Sequence, residues 1–280
     1  MDLSNVQLII YDLDGTLYED THHFDYYAGQ LKQRLASDMQ DKFQADYEAA
    51  LNDAHPLRIG RTYDAIRDLI LVQIKGDVSE AYRWDGTALS AEEVRELYPD
   101  KVTVNLEDMF SVGDMWWVPG CMARHYGLTD AGTTEAFLAT REWMMGPEFE
   151  MNPIQGLKDG IAASRANGVK QVLVTNSPQQ DSEKILDKIG LFESFDLKVF
   201  MARKPSGTKG VFERVSQQFG IAYEHILSVG DNWVNEILPA NELGCQTIYI
   251  DPHGIGAGLE SDKTVKSMQE VLPLITVAGK

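Results

Sequence analysis

Short apolar runs that each end in a polar cluster, separated by helical patterns, constrain this chain more than any other feature. Residues 7–12 read Gln-Leu-Ile-Ile-Tyr-Asp, and similar runs recur at 171–175, 197–201, 225–229 and 246–250. Each is too short for a helix and bounded by turn residues, which fits a buried strand. Amphipathic patterns at about 156–167, 179–189, 207–219 and 233–243 lie between them. Strand alternating with helix implies a parallel sheet covered on both faces. The expected fold class is therefore α/β, with a Rossmann-like doubly wound parallel sheet as its core.

Residues 19–149 interrupt that rhythm. Phe24, Tyr27, Leu31, Leu35, Met39 and Phe43 recur at helical spacing and predict one long helix. Helical patterns follow near 61–74 and 132–145, and 76–128 is rich in Gly and aromatics, with a hairpin signal at Trp84-Asp85-Gly86-Thr87. The expected organisation is an α/β core from 1–18 and 150–280, with a mostly α-helical domain, 19–149, inserted after the first strand. Pro147, Pro153, Gly146 and Gly156 mark the return crossing.

In a doubly wound sheet, ligands bind outside the carboxyl ends of the strands, and this chain keeps its chemistry there. The first strand ends Asp12-Leu13-Asp14-Gly15-Thr16. Gly15 permits a sharp turn, so that two carboxylates enter one crevice, one able to attack and the other to handle protons. The second ends Thr175-Asn176-Ser177, a hydroxyl with successive backbone N–H groups that suits an anion. Lys204 stands before Pro205, on extended backbone, where its ammonium can reach inward. The fourth ends Gly230-Asp231, with Asn235 and Glu236 about one helical turn further on. Asp12, Asp231 and a backbone carbonyl, completed by water and phosphate oxygens, match what Mg²⁺ prefers.

Charge and composition narrow the partners. The 43 acidic against 25 basic residues leave a net charge of −18. Such a surface repels the phosphate backbone of nucleic acids and anionic membranes. The apolar runs fall far short of the roughly 18–20 residues of a membrane span, and the opening residues do not read as a secretory leader. Cys121 and Cys245, far apart and in no metal-ligand spacing, read as reduced thiols of a cytoplasmic protein.

Together the strand-end motifs, Asp12-Leu13-Asp14-Gly15-Thr16, Thr175-Asn176, Lys204-Pro205 and Gly230-Asp231 through Glu236, resemble the four motifs of the haloacid dehalogenase superfamily. The insertion stands where members with a helical cap of the first type carry it. Leu17-Tyr18 is similar to phosphoglycolate phosphatase-like and pyrimidine nucleotidase-like members. The resemblance implies that Asp12 is a nucleophile forming an aspartyl-phosphate. It implies that Asp14 is the acid and base, and that Thr175, Asn176 and Lys204 hold the phosphoryl oxygens. Mg²⁺ would be held by Asp12, Asp231 and the backbone of Asp14, with Asn235 and Glu236 behind them. Members often carry Asp where Glu236 stands, and the insertion is longer than a plain helical cap. Dehalogenases resemble this family without an acid at position 14, so the expected activity is a Mg²⁺-dependent phosphatase acting on a small phosphorylated metabolite. The core motifs leave open a phosphomutase or other phosphotransferase, and a catalytically weak phosphate-metabolite sensor.

Other features are expected to be structural. Asp85-Gly86-Thr87 and Ser111-Val112-Gly113-Asp114 copy parts of these motifs, but Arg83 and Pro119 stand where acids should be. His22, His23, His125, Met115-Trp116-Trp117 and Trp143-Met144-Met145 read as surface or core of the insertion.

Overall fold

A computed structural model describes residues 1–256 and 258–279. Contacts divide the chain into two compact units, Met1–Asp20 together with Met144 onward, and Thr21–Trp143.

In the first unit, β1 (Leu8–Tyr11) is buried along its whole length. The chain then enters the second unit through α1 (His22–Arg34) and α2 (Gln40–Leu51). Next come β2 (Arg61–Asp64), β3 (Leu69–Ile74), β4 (Asp77–Tyr82), α3 (Ala91–Leu97), β5 (Met109–Val112), α4 (Trp117–His125) and α5 (Asp130–Met145). The first unit resumes with α6 (Leu157–Ala166), β6 (Lys170–Val174), α7 (Gln179–Lys188), β7 (Leu197–Val199) and α8 (Thr208–Phe219). It ends with β8 (Ile226–Gly230), a π turn (Trp233–Ile237), α9 (Leu238–Leu243), β9 (Gln246–Ile250), β10 (Lys263–Val265) and α10 (Met268–Ile275).

The core sheet runs β10-β9-β8-β1-β6-β7 and is parallel throughout. Leu8 and Ile10 face Val211, Phe212 and Val215 of α8. On the opposite face the Tyr11 hydroxyl donates to Gln171, whose amide reaches Ser164 on α6. Both faces are thus covered, which is why the strands read as continuous apolar runs. The chain moves outward from β1 through β6 and β7, then crosses to β8 on the other side of β1. That reversal opens a crevice between the carboxyl ends of β1 and β8, the position where open α/β sheets bind ligands.

Beside its helices the second unit holds an antiparallel sheet, β4-β3-β2-β5. The helix expected over 61–74 is instead the hairpin of β2 and β3. Asp64 makes the turn: its Oδ1 accepts from the backbone N–H of Ile66 and of Arg67, both at 3.0 Å. Asp68 then takes a left-handed φ of 54°. Thr62, Tyr63, Ile70, Val72 and Ile74 suit a pleated surface, and a closely spaced apolar run satisfies both periodicities. Ile70 faces the helical core with Tyr63, while Leu69 and Leu71 face Val94 and Tyr98 of the α3 segment.

The long helix expected across Phe24–Phe43 is two helices. Leu35 is extended, with ψ 156°, and its carbonyl accepts from the Gln40 amide. Tyr27, Leu31, Leu35 and Phe43 nevertheless enter one core, so the apolar stripe runs on across the break. The segment 76–128, left without an assignment by its pattern, holds β4, α3, β5 and α4. Its turn at 83–87 is closed by Arg83 N–H on the Thr87 carbonyl at 2.9 Å. α3 begins with a reciprocal Ser90–Glu93 capping box, which satisfies two orphan N–H groups.

Candidate active site

The end of β1 brings Asp12 to the crevice, and the Asp12 N–H bonds to the Val229 carbonyl of β8 at 3.1 Å. Past Asp12 the chain folds back, with the Leu17 N–H on the Leu13 carbonyl at 2.9 Å. Gly15 makes the turn with φ 76°, and a Cβ there would stand 2.2 Å from Asp231 Oδ2. Only glycine lets this backbone close on that carboxylate. Thr16 Oγ1 donates to Asp231 Oδ1 at 3.4 Å.

Lys204 arrives from the loop after β7, between Arg203 at φ 56° and a cis Lys204–Pro205 bond. It is 3% exposed, and its Nζ lies 2.6 Å from both Asp12 Oδ1 and Glu236 Oε1. One ammonium therefore faces two buried carboxylates. Burial pushes the Asp12 carboxyl above the ordinary range, Lys204 pulls it back, and the charge of Asp14 adds to the rise. Burial likewise carries Glu236 up to about 8 against the pull of Lys204. Burial alone would lower the Lys204 ammonium, but Asp12 and Glu236 outweigh it and hold it above its ordinary value. With Glu236 raised so far, the trio is close to neutral near pH 7 and gains an excess negative charge only as Glu236 ionises.

The π turn after β8 positions Glu236. Its Oε2 accepts from the Asn232 N–H at 2.9 Å, and Ser228 Oγ donates to its carbonyl at 3.1 Å. Gly230 leaves the room, since a Cβ there would meet Glu236 Cγ at 2.7 Å. Asn235 is held through its backbone, its carbonyl accepting from Thr208 Oγ1 at 2.8 Å. Single π turns inside helices often mark functional sites.

At the end of β6, Thr175 Oγ1 accepts from the Ser177 N–H at 3.1 Å and keeps its own proton to donate. The Asn176 side chain is spent on Lys204: its Oδ1 accepts from the Lys204 N–H at 2.6 Å and its Nδ2 donates to the Lys204 carbonyl at 3.1 Å. What Asn176 offers a bound anion is its backbone N–H, and its amide serves to place the lysine. The Asp14 carboxyl accepts from Ser177 Oγ at 3.0 Å on Oδ2 and from the Tyr18 hydroxyl on Oδ1. Sequence reasoning missed Ser177 and Thr16, and took Tyr18 only as a family cue. The contacts of Ser177 and Thr16 depend on which loop lies beside which, which strand order sets, whereas Tyr18 meets Asp14 within one local turn.

The donor set fits Mg²⁺. Asp12 and Asp231 offer carboxylates from neighbouring strand ends, the Asp14 backbone adds a carbonyl, and Gly15 holds that backbone against Asp231. Among the described residues no cluster of three His, Cys, Asp or Glu side chains forms a full protein cage. One or two carboxylates with water and phosphate completing the shell is how Mg²⁺ is usually held.

The motif copies in the second unit serve local turns. Asp85 accepts from the Thr87 N–H at 2.9 Å and Asp114 from the Trp116 N–H at 2.9 Å. His23 is buried between the rings of Phe24 and Trp116, and His125 stacks on Trp84 with 3.7 Å between centroids.

Carboxylates and a lysine thus gather at the switch point of a parallel α/β sheet, the place where such sheets bind their ligands. A family model described as haloacid dehalogenase-like hydrolase matches residues 6–244, and the chain belongs to that family. It is 27% identical over 135 residues to a phosphoglycolate phosphatase of Thiobacillus denitrificans, a match covering 45% of this chain and 58% of that protein. A phosphoglycolate phosphatase of Chromobacterium violaceum is 29% identical over 129 residues, covering 43% and 55% respectively. The match therefore spans little more than half the length of these relatives. Among solved structures, one described as a predicted phosphoglycolate phosphatase from Haemophilus somnus aligns over 97% of this chain and 99% of that one, with a TM-score of 0.55 at 17% identity. A HAD-hydrolase of Bacillus subtilis bound to magnesium aligns over 96% and 98%, with a TM-score of 0.52 at 15% identity. Likeness at those identities concerns the fold alone.

Proposed function

We propose that this hydrolase is a Mg²⁺-dependent phosphomonoesterase acting on a small phosphorylated metabolite through an aspartyl-phosphate. The carrying observation is the pairing of Asp12, touched by Lys204 at 2.6 Å, with a second carboxyl, Asp14, held on both its oxygens. A nucleophile beside an acid is what transfer of a phosphoryl group from an unactivated alcohol needs. Expulsion of halide needs no such acid.

In the first half-reaction a carboxylate oxygen of Asp12 attacks phosphorus as the bond to the ester oxygen breaks. Asp14 gives its proton to that oxygen, and the alcohol leaves. In the second half, Asp14 takes a proton from water as its oxygen attacks the aspartyl-phosphate, releasing phosphate and restoring both carboxyls. Lys204, the Thr175 hydroxyl and the Asn176 N–H receive the equatorial oxygens, where charge spreads in the transition state. Glu236 keeps the ammonium aimed at Asp12. Asp12, Asp231 and the Asp14 carbonyl would hold Mg²⁺, which supplies charge neutralisation for an incoming phosphate.

We assign phosphate handling to the core unit and read the insertion, residues 19–149, as the cap. The relatives' names make phosphoglycolate the first substrate to try. Both cysteines are buried free thiols, which supports a reducing, cytoplasmic setting. Among the described residues no helix is long and apolar enough to cross a membrane.

The test is phosphate release from p-nitrophenyl phosphate and phosphoglycolate, with Mg²⁺ and with EDTA, by wild type beside Asp12→Asn. The expected outcome is metal-dependent turnover that Asp12→Asn abolishes while its circular dichroism is unchanged, because an amide is a poor nucleophile. Retention of most activity by Asp12→Asn would refute the covalent route.

A further inference from the structure

Tyr18 lies outside the four motifs, yet it is 1% exposed and its hydroxyl is aimed at Asp14 Oδ1. The turn after β1 puts it there, with Thr16 and Leu17 N–H groups both on the Leu13 carbonyl and Tyr18 bridged to Asp14 in parallel fashion. From the neighbouring strand end, Ser177 Oγ, 4% exposed by residue, donates to Asp14 Oδ2 at 3.0 Å. Ser177 is itself tied by its N–H to Thr175 Oγ1 at 3.1 Å.

We propose that Tyr18 and Ser177 are positioning residues, a two-hydroxyl clamp that orients the Asp14 carboxyl for proton transfer to the leaving oxygen. The inference rests on the phosphomonoesterase reading and deepens it.

The last torsion of an aspartate is broad, so an untethered carboxyl would sample many orientations toward the ester oxygen. Hydroxyls from two chain segments, one on each oxygen, fix its plane. A carboxylate has about four lone-pair sites, so two hydroxyl contacts leave room for the proton that Asp14 must carry and deliver. As that proton passes to the ester oxygen, Asp14 becomes charged and both contacts become charge-assisted, roughly twice as strong as neutral ones. The clamp therefore tightens as negative charge develops on Asp14, which is stabilisation specific to the transition state. In the first half-reaction this effect appears only where the leaving group requires a proton.

That restriction gives the experiment. Wild type, Tyr18→Phe, Ser177→Ala and Asp14→Asn are compared on a graded series from p-nitrophenyl through phenyl to alkyl phosphates, with Mg²⁺ present. General acids contribute on the order of 10²–10⁴ in rate, and losing one half of the clamp should remove roughly tenfold of this on alkyl phosphates. The loss on p-nitrophenyl phosphate should be several times smaller, since nitrophenolate leaves without a proton. The loss should be read in kcat/KM, which reports the first half-reaction, because Asp14 serves as base in the second whatever the leaving group. In the Asp14→Asn background, Tyr18→Phe should add no further leaving-group dependence.

Equal slowing across the series, or a leaving-group dependence of Tyr18→Phe that persists without Asp14, would overturn the proposal. Tyr18→Phe keeps the buried ring, and Ser177→Ala reads the other hydroxyl independently. Absence of the asymmetry from whichever variant folds would likewise overturn it. Turnover of p-nitrophenyl phosphate by wild type but not by Asp12→Asn, in the same series, separates failure of the clamp from failure of the phosphomonoesterase reading.

Discussion

Replacing Lys204 with Met keeps most of the side chain's volume and removes its charge from the centre of the site. Nζ lies 2.6 Å from Asp12 Oδ1 and 2.6 Å from Glu236 Oε1, and all three residues are buried. Removing one partner of a buried ion pair costs about 3–5 kcal/mol, because the other charge is left uncompensated. Two carboxylates lose the same cation here, which places the full cost toward the upper end. Glu236 has an escape, however. Burial already raises its carboxyl to about 8 with Lys204 present, and loss of the ammonium removes a force that holds it down. A carboxyl raised in the fold binds its proton more tightly folded than unfolded, so protonation favours folding. That contribution is full below the ordinary carboxylate range and is lost as pH climbs through the folded value. The variant should therefore lose about 3–5 kcal/mol relative to wild type at pH 9. At pH 6, where Glu236 is neutral, the loss should shrink to roughly 1–3 kcal/mol, the cost of the broken hydrogen bonds. Urea unfolding followed by circular dichroism in EDTA at the two pH values measures both. Glu236→Gln in the Lys204→Met background should recover part of the loss at pH 9. Equal losses at both pH values, with no recovery in the double variant, would refute this account of the trio.

Two further outcomes follow from single residues. Gly15→Ala puts a Cβ 2.2 Å from Asp231 Oδ2 at a φ of 76°, displacing either the turn or the carboxylate. The Mg²⁺ concentration for half-maximal activity should rise roughly 10–100-fold, the usual cost of disturbing what orients a ligand. An unchanged Mg²⁺ titration would mean that Asp231 does not hold the ion. Asp64→Ala, in the second unit, removes a buried carboxylate that accepts from Ile66 N and Arg67 N at 3.0 Å, Arg67 Nη1 at 3.1 Å and Tyr98 OH at 2.7 Å. Its unfolding free energy should fall by roughly 3 kcal/mol or more, and a loss below about 1 kcal/mol in urea titration would contradict the role given to that turn.

Much of the core was legible in the linear order of residues because its signals are local. A strand buried on both faces must be largely apolar, so Leu8–Tyr11 and the Ile248-Tyr249-Ile250 end of β9 announce themselves. A strand end that carries chemistry must change character abruptly, as Tyr11-Asp12 and Val229-Gly230-Asp231 do. In Thr21–Trp143 the local signals conflict. The 61–74 stretch satisfies both helical and strand spacing, and the choice falls to Asp64 and to the partners β5 and β4 on either side. The apolar stripe from Tyr27 to Phe43 runs on across a break because both helices drain into one core.

By itself the sequence determined the alternation of strand and helix and the placing of Asp12, Thr175, Lys204 and Asp231 at or past the strand ends. Those depend on periodicity and residue type within a few positions. The tertiary structure alone decided that Asn176 would hold the Lys204 backbone, that Glu236 would share its ammonium with Asp12, and that Tyr18 and Ser177 would grip Asp14 from two sides. Apart from the local Tyr18–Asp14 contact, such pairings depend on which strand lies beside which, and side chains up to 192 positions apart meet only once the sheet has closed its crossovers.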